Sequence, residues 1–329
     1  MIISRTPVRV SFCGGGTDTD WYSQSSDNGG MVTSLALDKY IHVTVNQRFD
    51  DRVRVSYSKL EMVDDFEDLE HELVRESMRI TGVTSGVEIT TIADIPSRGT
   101  GLGSSSSVTV GLLNALHSFA GRSVSASQLA AEACRIEIDI LGQPIGRQDQ
   151  YAASFGGINT IKFSKDGDVL VEPIEISNKT RSKICEEFTL IFTGQTRSAS
   201  SVLSDSISEG KSAINNLLRI REQADEARDL LISGDTYKLG ELLNEAWNMK
   251  RGISSSVSND FLDQMYERII STGANGAKLL GAGGGGFFLV HADVSIRQKL
   301  NTEFSAEHRM IPLNIDETGS CIIHHDSQR

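Results

Sequence analysis

Residues 96–107 read PSRGTGLGSSSS, between an alternating β-branched run at 86–92 and an apolar helical run at 108–120. Gly99, Gly101 and Gly103 let the backbone turn tightly and let a ligand approach it closely. Ser104, Ser105 and Ser106 stand where a helix begins, with unpaired N–H groups and the positive end of the dipole facing outward. That combination suits a phosphate chain, and Ser97 and Leu102 complete the candidate loop. No Gly-Lys-Ser/Thr follows the glycines, and the spacing is not that of a dinucleotide turn. A flexible Gly/Ser linker is the bland alternative, but a linker would not run straight into an apolar helix.

Other residues carry chemistry at a distance from this loop. Arg9 lies in the alternating run 2–12, just ahead of a second glycine loop containing Gly15, Gly16 and Asp18. It is either a solvated edge residue or a cation aimed at that loop. In the helical run 125–141, Ala130, Cys134, Glu137 and Leu141 share one side. Glu137 there needs a cation or strong donors against desolvation, or else is a helix-edge ion-pair partner. Asp149 sits in the turn-rich stretch 142–157, as a base, a metal ligand or the cap of an Asx-turn. Lys250 and Arg251 end a helical run, where a basic pair also complements the dipole. Four consecutive glycines at 283–286, Gly283 and Gly284 among them, point to close contact with a ligand or another loop.

These residues need elements to hold them. Strands are expected at 2–12, in two runs within 29–58, at 86–92, 158–163, 169–176, 187–193 and 287–291, and at 309–315 and 318–324. Helices are expected at 67–80, 108–120, 125–141, 199–272 with breaks near 234 and 252, and 295–304. Ser125 and Gln128 have capping-box spacing. A chain of 329 residues with 39% hydrophobic content has room for two packed domains, divided near residue 165. The net charge of −12 argues against nonspecific nucleic-acid binding, so a polyanionic ligand must be met by local donors and a metal. Four well-separated cysteines match no metal spacing, and no membrane-length apolar run is present. A reducing cytoplasm is the expected compartment.

Three glycine-rich stretches, TPVRVSFCGGGTD (6–18), PSRGTGLGSSSSV (96–108) and KLLGAGGGGFF (278–288), resemble the GHMP kinase superfamily. GRQDQYAASFGG (146–157) extends the likeness over nearly the whole chain, in order. The triple glycine of the first motif, FTGQTRSASSVL (192–203) and LLNEAWNMKR (242–251) resemble the branch of D-glycero-D-manno-heptose 7-phosphate 1-kinases and fucokinases. Galactokinases carry Gly-Glu-His where this chain has Gly15-Gly16, which disfavours galactose.

The resemblance implies an α+β, two-domain GHMP kinase fold, ribosomal-protein-like in its N-terminal domain (1–165) and ferredoxin-like in its C-terminal domain (166–329). It places the site in the cleft between them and implies ATP and magnesium. By motif, Ser105 and Glu137 match the magnesium pair, Asp149 the catalytic aspartate, Arg9 the facing cation and Asp18 a sugar-hydroxyl ligand. A sugar phosphate as acceptor needs a basic cluster, for which Arg197, Lys250 and Arg251 are the candidates. L-fucose is the alternative acceptor, and a noncatalytic sugar or nucleotide sensor the alternative class. A homodimer is the assembly considered.

Overall fold

The computed structural model describes residues 1–96, 99–196 and 211–326, and structural statements concern these. β1, Ile2–Cys13, alternates as expected, with Val8, Val10 and Phe12 fully buried. Its other face is covered too, for Arg9 and Ser11 are each 4% exposed. A strand buried on both faces belongs inside a sheet. β1 indeed lies between β2, Gly30–Gln47, and β12, Cys321–His325, so Arg9 is not a solvated edge residue.

β2 is longer than its alternating run because the buried residues 31–37 extend it at the start. It continues the sheet to β5, Val87–Ala93, then β3, Val53–Ser56, and β4, Leu60–Val63. The first half of β2 pairs antiparallel with β6, Ile158–Phe163, and β7, Val169–Pro173, forms a hairpin with β6. The division expected at 165/166 thus falls in the turn of one hairpin. β12 also brings the end of the chain back into this first sheet. The second sheet is antiparallel in the order β11, β8, β10, β9, from Met310–Pro312, Phe188–Phe192, Phe287–His291 and Gly276–Leu279. One apolar core runs through both sheets, where Phe12 meets Phe188 edge-on at 5.9 Å.

The helices begin largely where capping chemistry places them. α1 is the short Asp20–Ser23. The acidic run 67–80 divides into a 3₁₀ turn, Phe66–Asp68, and α2, Glu72–Thr81. α2 is not an exposed helix: Val74 and Met78 are buried, and Glu76 is held by Arg75 and Arg79. α3, Ser104–Phe119, starts at the serines, after Gly103 at φ +74. It packs against β1 and β2 and touches α2. α4, Ala126–Cys134, is capped by Ser125, which accepts from the Gln128 amide at 3.2 Å. The Gln128 side chain does not reciprocate but donates to Glu132. α4 then widens into a π-helical turn, Arg135–Ile140, which carries Glu137.

α5 is Gln148–Phe155, so Asp149 lies in the first turn of a helix and not in a loop. α6, Asn178–Glu187, has no counterpart among the sequence expectations; Ile184 is its one buried apolar residue. The long helical run divides at the expected breaks into α7, Lys211–Ser233, α8, Thr236–Arg251, and α9, Asp260–Ser271. α10 is Val294–Phe304.

α8 lies against β9 through paired glycines: a Cβ on Gly276 would come within 1.8 Å of the Gly240 carbonyl oxygen. Gly82, at φ +69 after α2, has open space around it. Gly82→Ala should therefore cost only left-handed strain, about 1–2 kcal/mol. Gly276→Ala carries no such strain but must push α8 from β9, and should cost clearly more in urea denaturation. Equal stabilities for the two variants would contradict this packing.

Candidate active site

The three glycine loops converge on one cleft of about 1050 Å³, whose lining includes Gly15, Gly101 and Gly283. The second and third touch backbone to backbone. A Cβ on Gly101 would come within 2.4 Å of the Leu280 carbonyl oxygen, and one on Gly286 within 2.3 Å of the Thr100 carbonyl. Gly103 is tight for a different reason: its missing Cβ leaves room for the Asp149 carboxylate, 3.0 Å away. The first amides of α3 have no intrahelical acceptor, so the helix presents N–H donors and its positive end beside that carboxylate.

Arg9 and Asp149 form the central ion pair. The Arg9 Nε and Nη2 lie 2.8 and 2.6 Å from Asp149 Oδ1, with the arginine side chain 5% exposed and the aspartate 23%. Arg9 Nη1 donates to the Gly101 carbonyl at 2.5 Å, and the Arg9 amide donates to the Leu102 carbonyl. Leu102 itself is buried and faces the core rather than the cleft.

Asp18 is buried beside this pair. It accepts from the Gly16 amide at 2.8 Å, the Gln148 amide at 3.1 Å and Gln148 Nε2 at 3.0 Å. Burial, and then the charge of Asp149, raise its proton affinity, while the amide donors oppose this. Gly146 is obligatory here, since a Cβ would sit 1.9 Å from Asp18 Oδ2.

Glu137 is fully buried on the π-helical turn. It accepts from Ser105 Oγ at 3.4 Å and from Gln150 Nε2 at 2.6 Å, and among the described residues it forms no ion pair. Desolvation is the main reason its pKa is pushed up to about 7, partly offset by its hydrogen bonds. A divalent cation would supply the missing positive charge, and hydroxyl and carboxylate oxygens are the hard donors magnesium takes. The described residues contain no cluster of three or more acidic, His or Cys side chains able to hold a metal. A cation held by Ser105 and Glu137 would therefore complete its shell with ligand phosphate and water.

Of the expected basic cluster, Lys250 and Arg251 do not come together. Lys250 is buried on the cleft wall, its ammonium hydrogen-bonded to the Gly281 carbonyl. Arg251 faces elsewhere. It bonds Asp263 Oδ1 at 3.1 Å and Asn248 Oδ1 at 2.6 Å and lies over the Tyr266 ring, in a separate shallow depression. An odd neighbour on a helix points about 100° away, so adjacent basic residues cannot share one wall. Arg197 and Ser97 lie outside the described residues. Gly99, Gly16 and Gly283 line the cleft with Ser104, Ser105 and Ser106, whereas Gly284 bonds the Val257 carbonyl outside the lining.

Three residues that sequence reasoning missed complete the site. Lys278 of β9 is buried and donates to the carbonyls of Ser11 and Phe12, at 3.1 and 2.7 Å, tying the second sheet to β1. Desolvation lowers its pKa to about 8. Gln148 and Gln150 flank Asp149, one holding Asp18 and the other Glu137. Their only signal was position: glutamines on either side of a carboxylate in a glycine-bounded segment.

Residues 69–157 match the GHMP kinases N terminal domain, and residues 227–306 the GHMP kinases C terminal domain. The chain is 31% identical over 318 residues to D-glycero-alpha-D-manno-heptose 7-phosphate kinase of Campylobacter jejuni, covering 91% of each. It is 27% identical to the bifunctional fucokinase/GDP-fucose pyrophosphorylase of Arabidopsis thaliana, over 96% of this chain and 32% of that longer protein. In fold it is similar to a D-glycero-D-manno-heptose 1-phosphate kinase from Bacteriodes thetaiotaomicron, with a TM-score of 0.84 at 23% identity, covering 99% and 100% of the two chains. The family models therefore cover the second and third glycine loops and the segment that carries Glu137 and Asp149. The chain belongs to the GHMP kinases, phosphotransferases that act on hydroxyl groups.

Proposed function

We propose that the protein transfers the γ-phosphoryl group of ATP to the anomeric hydroxyl of D-glycero-D-manno-heptose 7-phosphate, giving the 1,7-bisphosphate. The observation that carries a catalytic reading is the Arg9–Asp149 pair, 2.6 Å apart at the mouth of the Gly99–Gly103 loop. A nucleotide sensor would have no need of an acid–base pair at that point. The similarity to the Campylobacter enzyme supports the heptose phosphate as acceptor.

In this reading the amides at the start of α3 bind the β- and γ-phosphates. Asp149 orients the acceptor hydroxyl and takes its proton, while Arg9 fixes the carboxylate and faces the phosphoryl group. Magnesium, when bound, neutralises charge on the phosphates, and Ser105 and Glu137 are the residues that would hold it. Asp18, anchored by Gln148, is placed to accept from a sugar hydroxyl. Among the described residues, Lys250 is the member of the expected basic set that faces the cleft.

L-fucose is the second reading. One wall of the cleft is apolar, with Trp21, Leu217, Ile220 and Ile253, and would suit the methyl group of a 6-deoxy sugar. The Arabidopsis relative supports it as well.

Asp149→Asn should lower kcat by about 10²–10⁴-fold while ADP still binds by calorimetry. Undiminished turnover would remove the base. Glu137→Gln should raise the magnesium concentration needed for half-maximal activity and weaken calorimetric binding of Mg-ADP more than that of ADP alone. Identical magnesium dependence would release Glu137 from metal binding. An ATP-consumption assay with heptose 7-phosphate, L-fucose, galactose and mevalonate should show turnover with heptose 7-phosphate; preferred turnover of any other acceptor would replace it.

A further inference from the structure

Lys250 has a buried charge with no partner of opposite sign. It lies in the last turn of α8 at 9% exposure and, among the described residues, bonds only the Gly281 carbonyl and forms no ion pair. The charged groups facing it are Lys278 from β9, Arg9 from β1 and Asp18 from the loop after β1. Arg9 is already matched by Asp149, and Asp18 accepts three hydrogen bonds from neutral donors. Two buried ammonium groups thus share one neighbourhood with a single remaining carboxylate. Burying a cation beside other cations is unfavourable unless an anion arrives to meet it. Burial, together with Lys278 and Arg9, pushes the Lys250 pKa well below that of an ordinary lysine, which reflects the same deficit.

The backbone contacts fix where that anion would lie. Gly281, which holds the Lys250 ammonium, packs on Gly101 so closely that a Cβ would come within 2.4 Å of the Gly101 Cα. The Gly101 carbonyl in turn accepts from Arg9 Nη1. Lys250 and Arg9 are therefore braced on two touching glycines, one cation on each. The Gly101 side of this contact is the phosphate loop, and Arg9 leads directly to Asp149. A phosphate at the far end of an acceptor would lie away from this contact.

We infer that Lys250 is a catalytic residue that contacts the transferring phosphoryl group, rather than a ligand for a distal phosphate on the acceptor. The inference rests on the kinase reading above. In the step, the acceptor oxygen bonds to the γ-phosphorus while the bond from that phosphorus to the β–γ bridging oxygen breaks. The electron pair leaves with ADP, and the hydroxyl proton passes to Asp149. Lys250 donates to the non-bridging oxygens, where its charge counts most as the group moves between donor and acceptor. It would do so for any acceptor, phosphorylated or not.

The test compares wild type, Lys250→Met and Lys250→Arg with heptose 7-phosphate and with a phosphate-free sugar that the wild type turns over. Thermal melting and calorimetric ADP binding serve as controls. Lys250→Met should lose about 10²–10³-fold in kcat with both acceptors, at unchanged ADP affinity and with no selective rise in KM for the phosphorylated one. Lys250→Arg, which keeps a charge, should recover part of the loss. A retained kcat with a raised KM for heptose 7-phosphate alone would overturn the inference in favour of a distal phosphate. Loss of ADP binding, or a melting drop matched by equal loss in Lys250→Arg, would reduce Lys250 to a staple for Gly281. Wild-type protein inert toward every acceptor would sink the kinase reading itself.

Discussion

Two glycine loops separated by most of the chain meet without side chains between them, and the geometry of the cleft follows from that contact. Gly101 lies against Leu280 and Gly281, and Gly286 against Thr100, at separations no Cβ could occupy. The contact sets the Gly99–Gly103 loop of the first sheet against the lysine-bearing second sheet. Lys278 reinforces it by donating across the gap to β1, two and three residues beyond Arg9. Glycine is unfavourable in regular structure by about 0.5–1 kcal/mol, so a run of four is kept for approach and not for stability.

The second constraint is charge in a dry place. Arg9, Asp18, Asp149, Lys250 and Lys278 line one cleft, with Glu137 buried behind Ser105, and among the described residues Arg9 and Asp149 are the two of these that pair with each other. Isolated ions in such surroundings are costly, and the raised proton affinity of Asp18 and Glu137 and the lowered affinity of both lysines express that cost. Groups perturbed in both directions around one cleft are the mark of a functional site.

Much of this was legible in the sequence because it depends on residue type and short spacing. Small residues ahead of an apolar helix announce a helix start, and α3 does start at Ser104. The inward position of Glu137 followed from helical periodicity, although the helix widens there into a π turn that periodicity does not reveal. What stayed hidden depends on tertiary partners. Asp149 opens a helix whose N-terminal signals were obscured by flanking glycines and glutamines. Lys278 reads as an ordinary strand residue until β1 is laid beside it, 266 residues away in sequence. Adjacent Lys250 and Arg251 looked like one basic patch, but helical rotation sends them to different surfaces. The return of β12 to the first sheet is a long-range pairing with no local signature.

A crystal structure with magnesium and a non-hydrolysable ATP analogue tests the account most directly. It should show the triphosphate held by the amides of Ser104 to Ser106, with the metal between it and the Ser105–Glu137 pair and the γ-phosphate facing Arg9 and Lys250. A nucleotide bound with its phosphates away from the start of α3, or with Lys250 still confined to the Gly281 carbonyl, would contradict it.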